Sequence, residues 1–134
     1  MVSYCYMKGY ITNIEERALA NNYFREVLYT DERLQLVVMS LQPNEDIGEE
    51  VHELDQFIRV EKGAGKTVLE GVEHELTEGS AIIVPKGTRH NIINTSATEP
   101  MKLYTVYAPP NHKEGTVHQT KAEAEADEGE HYAG

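Results

Sequence analysis

The stretch GSAIIVPKGTRHNIIN, residues 79–94, decides the fold. It holds two short apolar segments, SAIIVP (80–85) and the run that begins at His90, with Lys86-Gly87 between them. Pro85 fixes φ and Gly87 tolerates φ > 0, so the pair makes a turn. Segments this short, rich in Ile and Val and bounded by Gly and Pro, are strand material. Residues of equal parity share one face of a strand, which puts His90 beside Ile92 and Asn94. A histidine at the mouth of a strand, straight after a Pro-x-Gly turn, is a candidate ligand, base or polar edge residue.

The same texture repeats along the chain. FREVLYT (24–30), LQLVVMSL (34–41), QFIRVEKG (56–63), KTVLEG (66–71), EHELTEG (73–79), HNIINTS (90–96) and KLYTVYAP (102–109) read as further strands. Thr-Asp-Glu, Gln-Pro-Asn-Glu, Lys-Gly-Ala-Gly and Thr-Glu-Pro between them are turn chemistry. The spacing predicts an all-β sandwich or barrel. A parallel α/β fold is excluded, because no room is left for crossover helices. Upstream, ITNIEERALANN (11–22) predicts a short helix, with Thr12 or Asn13 as its cap and Glu15 and Glu16 in its first turn.

The remaining bounds come from size and charge. With 134 residues the chain is expected to form one domain with a real core. A net charge of -11 argues against nucleic acid or an anionic membrane as partner. Cys5 is the only cysteine, which fits a reducing compartment. The first sixteen residues lack a basic stretch followed by an apolar core, so no secretory signal is expected. No apolar run reaches the ~20 residues needed to span a bilayer. The expectation is a cytoplasmic protein. Residues 113–134 carry six acids against two lysines and little apolar matter, so a loosely held acidic tail is predicted. The division is then 1–33 for the N-terminal helix and first strand, 34–112 for the barrel and 113–134 for the tail.

Gly79, Pro85, Gly87, His90 and Asn94 fill a pattern of Gly, five residues, Pro-x-Gly, two residues, His, three residues, Asn. This resembles the second characteristic motif of the cupin superfamily at all five positions. The first cupin motif holds His-x-His, three or four residues, Glu, six residues, Gly. Counting back from Gly63, its spacing falls on Glu50, His52 and Gln56, so only the second of its ligand types is kept. The fifteen residues between Gly63 and Gly79 suit the short linker of compact bacterial cupins. The resemblance covers roughly residues 34–109. It implies a double-stranded β-helix, or jelly roll, with a short N-terminal helix, of the RmlC-like kind often labelled mannose-6-phosphate isomerase-like. That label is an analogy of fold. It also implies a homodimer.

The resemblance turns the faces bearing Glu50, His52, Gln56 and His90 into the barrel, where unpaired polar groups are costly. Two imidazoles, a carboxylate and an amide oxygen form a ligand set for a divalent transition metal: Fe, Mn, Ni, Co or Zn. A metal-free polar pocket, in which these groups bond one another, is the alternative. Asn94 is read as tying backbone. Glu53 and Asp55 fall on the outward parity, and His74, His112, His118 and His131 as solvated residues. Arg59 and Lys102 fall on outside faces, which leaves phosphate binding inside the barrel without support. Packing is the first reading of Tyr104 and Tyr107, which are also the candidates for an acid or base. Two function classes stay open: a metal-dependent enzyme acting on a small organic molecule by oxygenation, isomerisation or lyase chemistry, and a non-catalytic binding or sensing protein with the same cavity.

Overall fold

The protein was analysed as a computed structural model, which describes residues 9–127 and 129–132. Cys5 lies outside the described residues. The short helix expected near the N-terminus is α1 (Ile14–Ala20). Asn13 caps it by accepting the Glu16 amide on its side chain, and Glu15 and Glu16 face the positive end of the helix. Nine strands follow: β1 (Arg25–Thr30), β2 (Gln35–Leu41), β3 (Asp55–Lys62), β4 (Gly65–Leu69), β5 (Val72–Leu76), β6 (Ala81–Val84), β7 (His90–Asn94), β8 (Met101–Ala108) and β9 (Val117–His118). A second helix, α2 (Lys121–Ala126), comes last.

The strands make two antiparallel sheets. One has six strands in the order β6-β3-β8-β2-β1-β9, the other three in the order β5-β4-β7. The core lies between them. Val37, Met39, Leu41, Ile58, Val60, Leu103 and Ile92 are at most 1% exposed. Alternation sets this up: on β3 the side chains of Gln56, Ile58 and Val60 turn inward while Phe57 and Arg59 are only half-buried. The outer face of the larger sheet carries α1. Lys102 lies on that face, as expected, yet it is buried. Its ammonium donates to the Asn21 carbonyl, Asn22 Oδ1 and Ser40 Oγ, and so pins the helix end to β2 and β8.

Gly79 and Gly87 both adopt positive φ, +88° and +82°, as the turn reading requires. Asn94 is fully buried. Its amide donates to the carbonyls of Leu41, Gln42 and Glu99, and its Oδ1 accepts the Ser96 amide. It ties backbone, as the sequence suggests.

The tail departs from expectation. Residues 113–134 were predicted to be loosely held, but β9 pairs with β1, and Val27 and Phe24 donate their amides to Thr116 and Gln119. Thr120 caps α2 through the Glu123 amide, and Ala124 packs on the core. His112 and His118, read as solvated, are 4% and 3% exposed. The reason is polar docking in place of an apolar face. His112 meets Glu130, His118 meets Asp127, and Lys121 meets Asp46. His74 and His131 are exposed, in line with the sequence.

Candidate functional site

The site sits on the seam between the segment before β3 and the start of β7. Glu50 and His90 face each other across an isolated bridge, exchanging backbone hydrogen bonds of 2.9 Å in both directions. The Pro-x-Gly turn reaches the other ligand candidate. The Gly87 amide donates to the His52 carbonyl at 2.8 Å, while Asp55 Oδ1 accepts the Lys86 amide at 2.9 Å. The turn therefore fixes the backbone of His52 as well as the start of the strand carrying His90. The two imidazole rings lie 5.2 Å apart, centre to centre.

Glu50, His52 and His90 each present one ligand atom, and these atoms lie within 4.8 Å of one another. His90 Nδ1 is 2.9 Å from the Thr88 carbonyl oxygen, which can only accept. The proton is therefore on Nδ1, and Nε2 is left with a free lone pair. His52 Nε2 is 3.2 Å from Glu50 Oε1 and donates to it in this arrangement. Burial would raise the Glu50 carboxyl, but the hydrogen bond from His52 and the positive surroundings, the Arg25 guanidinium among them, outweigh it. Glu50 is held below the usual glutamate range, as an anion.

Gln56 reaches the cluster through one neighbour. Its partner on β8 is Tyr107, whose ring meets His52 edge-on at 6.1 Å. Gln56 Nε2 donates to Thr105 Oγ1 at 2.9 Å, and its Oε1 is buried without a hydrogen-bond partner. An orphaned, inward carbonyl oxygen fits a fourth donor for a cation. Glu53 and Asp55 are exposed, as their parity implies.

The cupin-domain family matches residues 37–107, more than half of the chain. The chain is a cupin. YrkC, an uncharacterized protein of Bacillus subtilis (strain 168), is 47% identical over 128 residues, covering 90% of this chain and 68% of that protein. A protein of Acanthamoeba polyphaga mimivirus, also uncharacterized, is 46% identical over 112 residues, or 81% of this chain and 70% of its own. A crystal structure from Bacillus halodurans superposes with a TM-score of 0.86 at 44% identity, covering 89% of this chain and 95% of that one. The all-β jelly roll read from the sequence is thus the fold of this cupin.

Beside Glu50 and His52 the cupin holds a cavity of about 420 Å³, open to solvent. Phe24, Arg25 at the start of β1 and residues of the folded tail line the rest of it. Arg25 is a functional candidate that the sequence reading did not single out. It shares parity with Val27, and both are buried. That parity is the signal that could have revealed it in the sequence.

Tyr107, one of the two tyrosine candidates, is inside; Tyr104 is not, and pairs instead with Phe57 on the outer face, 6.2 Å between ring centres. Burial pushes the Tyr107 phenol up to about 12, so it keeps its proton at neutral pH. Its oxygen is 3.4 Å from His112 Nε2, and His112 Nδ1 is 2.7 Å from Glu130 Oε1. Burial holds the His112 imidazole below its ordinary value and therefore neutral. Burial would raise the Glu130 carboxyl, but the hydrogen bonds from His112 and the Lys113 amide bring it below the usual range. A carboxylate, an imidazole and a phenol thus run in line to the edge of His52. Only Tyr107 of these three was a candidate in the sequence. Glu130 lies 18 residues beyond His112 in an otherwise polar stretch, with no periodicity to link them.

Proposed function

We propose that this cupin holds a divalent transition metal on Glu50, His52 and His90, with Gln56 Oε1 as a fourth donor, and acts on a small organic molecule admitted through the cavity. The observation that carries the reading is that Glu50, His52 and His90 each bring one ligand atom within 4.8 Å of the others, while the Thr88 carbonyl takes the Nδ1 proton of His90 and leaves Nε2 as its donor to a metal. Two imidazoles and one carboxylate suit Fe, Mn, Ni, Co or Zn alike, so the residues fit a metal without choosing one. A bound ion would act as a Lewis acid or, for iron, as an oxygen site; oxygenation, isomerisation and lyase chemistry are the classes consistent with that. The chain itself supplies an anionic carboxylate, two oriented imidazoles, and the Tyr107 hydroxyl, which stays protonated and is steadied by the neutral His112 behind it.

One observation favours a second reading, a metal-free pocket that binds or senses a small molecule. Glu50 and His52 already satisfy each other at 3.2 Å. Thermal unfolding in each of the five ions, and in EDTA, separates the two. A site that binds metal in the native state alone is stabilised by ~2.7 kcal/mol at one hundred times Kd, and Tm rises accordingly. The metal reading expects that rise with at least one ion and its loss in His90→Ala. An unchanged Tm with every ion supports the metal-free pocket.

Two wider proposals accompany this one. A homodimer is supported by Ile83 on the edge strand β6 and by Val72, which leave apolar side chains 62% and 57% exposed. A monomer mass in light scattering at micromolar concentration would rule it out. A cytoplasmic location is supported by the single cysteine. Among the described residues no helix is long and apolar enough to cross a membrane.

A further inference from the structure

Arg25 is the cation that the fold explains least. It is 6% exposed and lines the cavity beside Glu50 and His52. A guanidinium carries five N–H donors. Among the described residues its side chain makes one hydrogen bond, from Nη1 to His118 Nδ1 at 3.1 Å, and Nε is buried with no partner. His118 is a neutral acceptor there. Arginine can only donate, so His118 Nδ1 must accept, which puts the ring proton on Nε2, 3.0 Å from Asp127 Oδ2. No carboxylate among the described residues lies within ion-pair distance of Arg25. Glu50 and Glu130 feel its charge, but each spends its own oxygens on a histidine. The Phe24 ring, 5.1 Å from the guanidinium carbon, shields one face and leaves a planar fork held in place.

A buried, positioned arginine with no carboxylate at ion-pair distance keeps donors free, and an anionic ligand is what would take them. We propose that the cavity takes a small organic carboxylate, its anionic end held by Arg25 and its other end turned toward Glu50, His52 and His90. The orientation of that far end rests on the metal-site reading; the Arg25 contact does not. A carboxylate matches the guanidinium fork in two parallel hydrogen bonds. The single charge matters too. Glu50, Glu125, Asp127 and Glu130 also line the cavity, and a dianionic phosphate would meet their repulsion with one buried arginine to offset it. Lys121, the other cation of the lining, is already paired with Asp46.

The test uses the full chain, loaded with Mn(II) and metal-free in parallel, with metal content measured on every sample. Lactate, its neutral counterpart lactamide, and inorganic phosphate are titrated in by calorimetry. The expected result is lactate binding with Kd of about 1 mM or tighter, and lactamide at least about tenfold weaker. Phosphate should bind more weakly than lactate. Arg25→Gln should lose the preference for lactate over lactamide, while Lys121→Gln keeps it. Absence of lactate binding, equal binding of lactamide, or an Arg25→Gln variant that retains the preference overturns the proposal. Phosphate binding tighter than lactate overturns it in favour of a phosphate ester. Loss of the preference in Lys121→Gln moves the anion away from Arg25 and also overturns it. The lactate–lactamide contrast on the wild-type chain decides the matter even where Arg25→Gln does not fold. A chain that takes no metal yet keeps the contrast sinks the metal reading alone; a metal-loaded chain without it sinks the Arg25 contact alone.

Discussion

His90 is the residue on which the site turns. Its backbone is locked to Glu50 on both sides of the bridge, and its Nδ1 proton is held by Thr88. Little freedom remains in the ring, so Nε2 is presented in advance of any ligand. Gln56 offers the sharpest residue-scale test. A glutamate there would supply the carboxylate that the usual cupin pattern carries, at a buried position. In the metal-free chain Gln56→Glu adds a second buried charge without a partner and should cost on the order of 3 kcal/mol. With metal bound that charge becomes a ligand. The gap in Tm between metal-loaded and EDTA-treated protein should therefore widen in Gln56→Glu; a gap that narrows would show that position 56 does not face the ion. Gly65 tests packing at the same scale. A Cβ there would press into the Ile93 carbonyl oxygen and the Met101 methyl, so Gly65→Ala should lose about 2–3 kcal/mol in urea unfolding. The residues of the site were legible because the chain resembles the two cupin motifs, whose spacing falls on Glu50, His52, Gln56 and His90. Of these, Gln56 and His90 stand on strands, where parity assigns a face, and Glu50 and His52 lie in the segment before β3. Arg25 follows the same parity rule but stands in no motif, and a lone arginine in a strand reads as solvated until its neighbours are known.

The elements show where that legibility stops. All eight strands expected from alternation and turn residues exist, and β3, β6 and β7 show the period of two most clearly in their burial. β9 and α2 bury almost no apolar side chains. Their attachment runs through His112–Glu130, His118–Asp127 and Lys121–Asp46, pairs that hydrophobic patterning cannot detect. The pairing makes the tail sensitive to acid. The His112 imidazole is held below its ordinary value of 6.5, so in the unfolded chain it takes a proton that the folded chain refuses. Stability from this group is complete above pH 6.5 and falls as pH drops from there toward the lower folded value. Glu130, lowered from 4.5, adds a second loss below that pH. The slope from one such proton is at most about 1.4 kcal/mol per pH unit. Melting of the wild-type chain between pH 7 and 5 should show it, and His112→Gln should be less stable at pH 7 but flatter across that range. Parallel curves for the two proteins would place the acid sensitivity elsewhere.

On the scale of the whole molecule, the larger sheet wraps the core and the tail closes over one end, so that the cavity has a barrel floor and a wall made by the last twenty residues. This placement explains why a net charge of -11 coexists with a buried arginine beside the site. The surface charge serves solubility, while the interior charge is local to the cavity. It also predicts that ending the chain after residue 112 removes one wall of the cavity and uncovers Phe24, instead of trimming a passive tail; the truncated chain should bind hydrophobic dye and melt several degrees lower. The central claim is the metal centre, and elemental analysis of the purified, untagged protein tests it most directly, run beside His52→Ala and His90→Ala. The account predicts about one transition-metal ion per chain, lost in both variants. A chain free of metal after reconstitution with Fe, Mn, Ni, Co and Zn in turn, or a metal content that survives both substitutions, would contradict it.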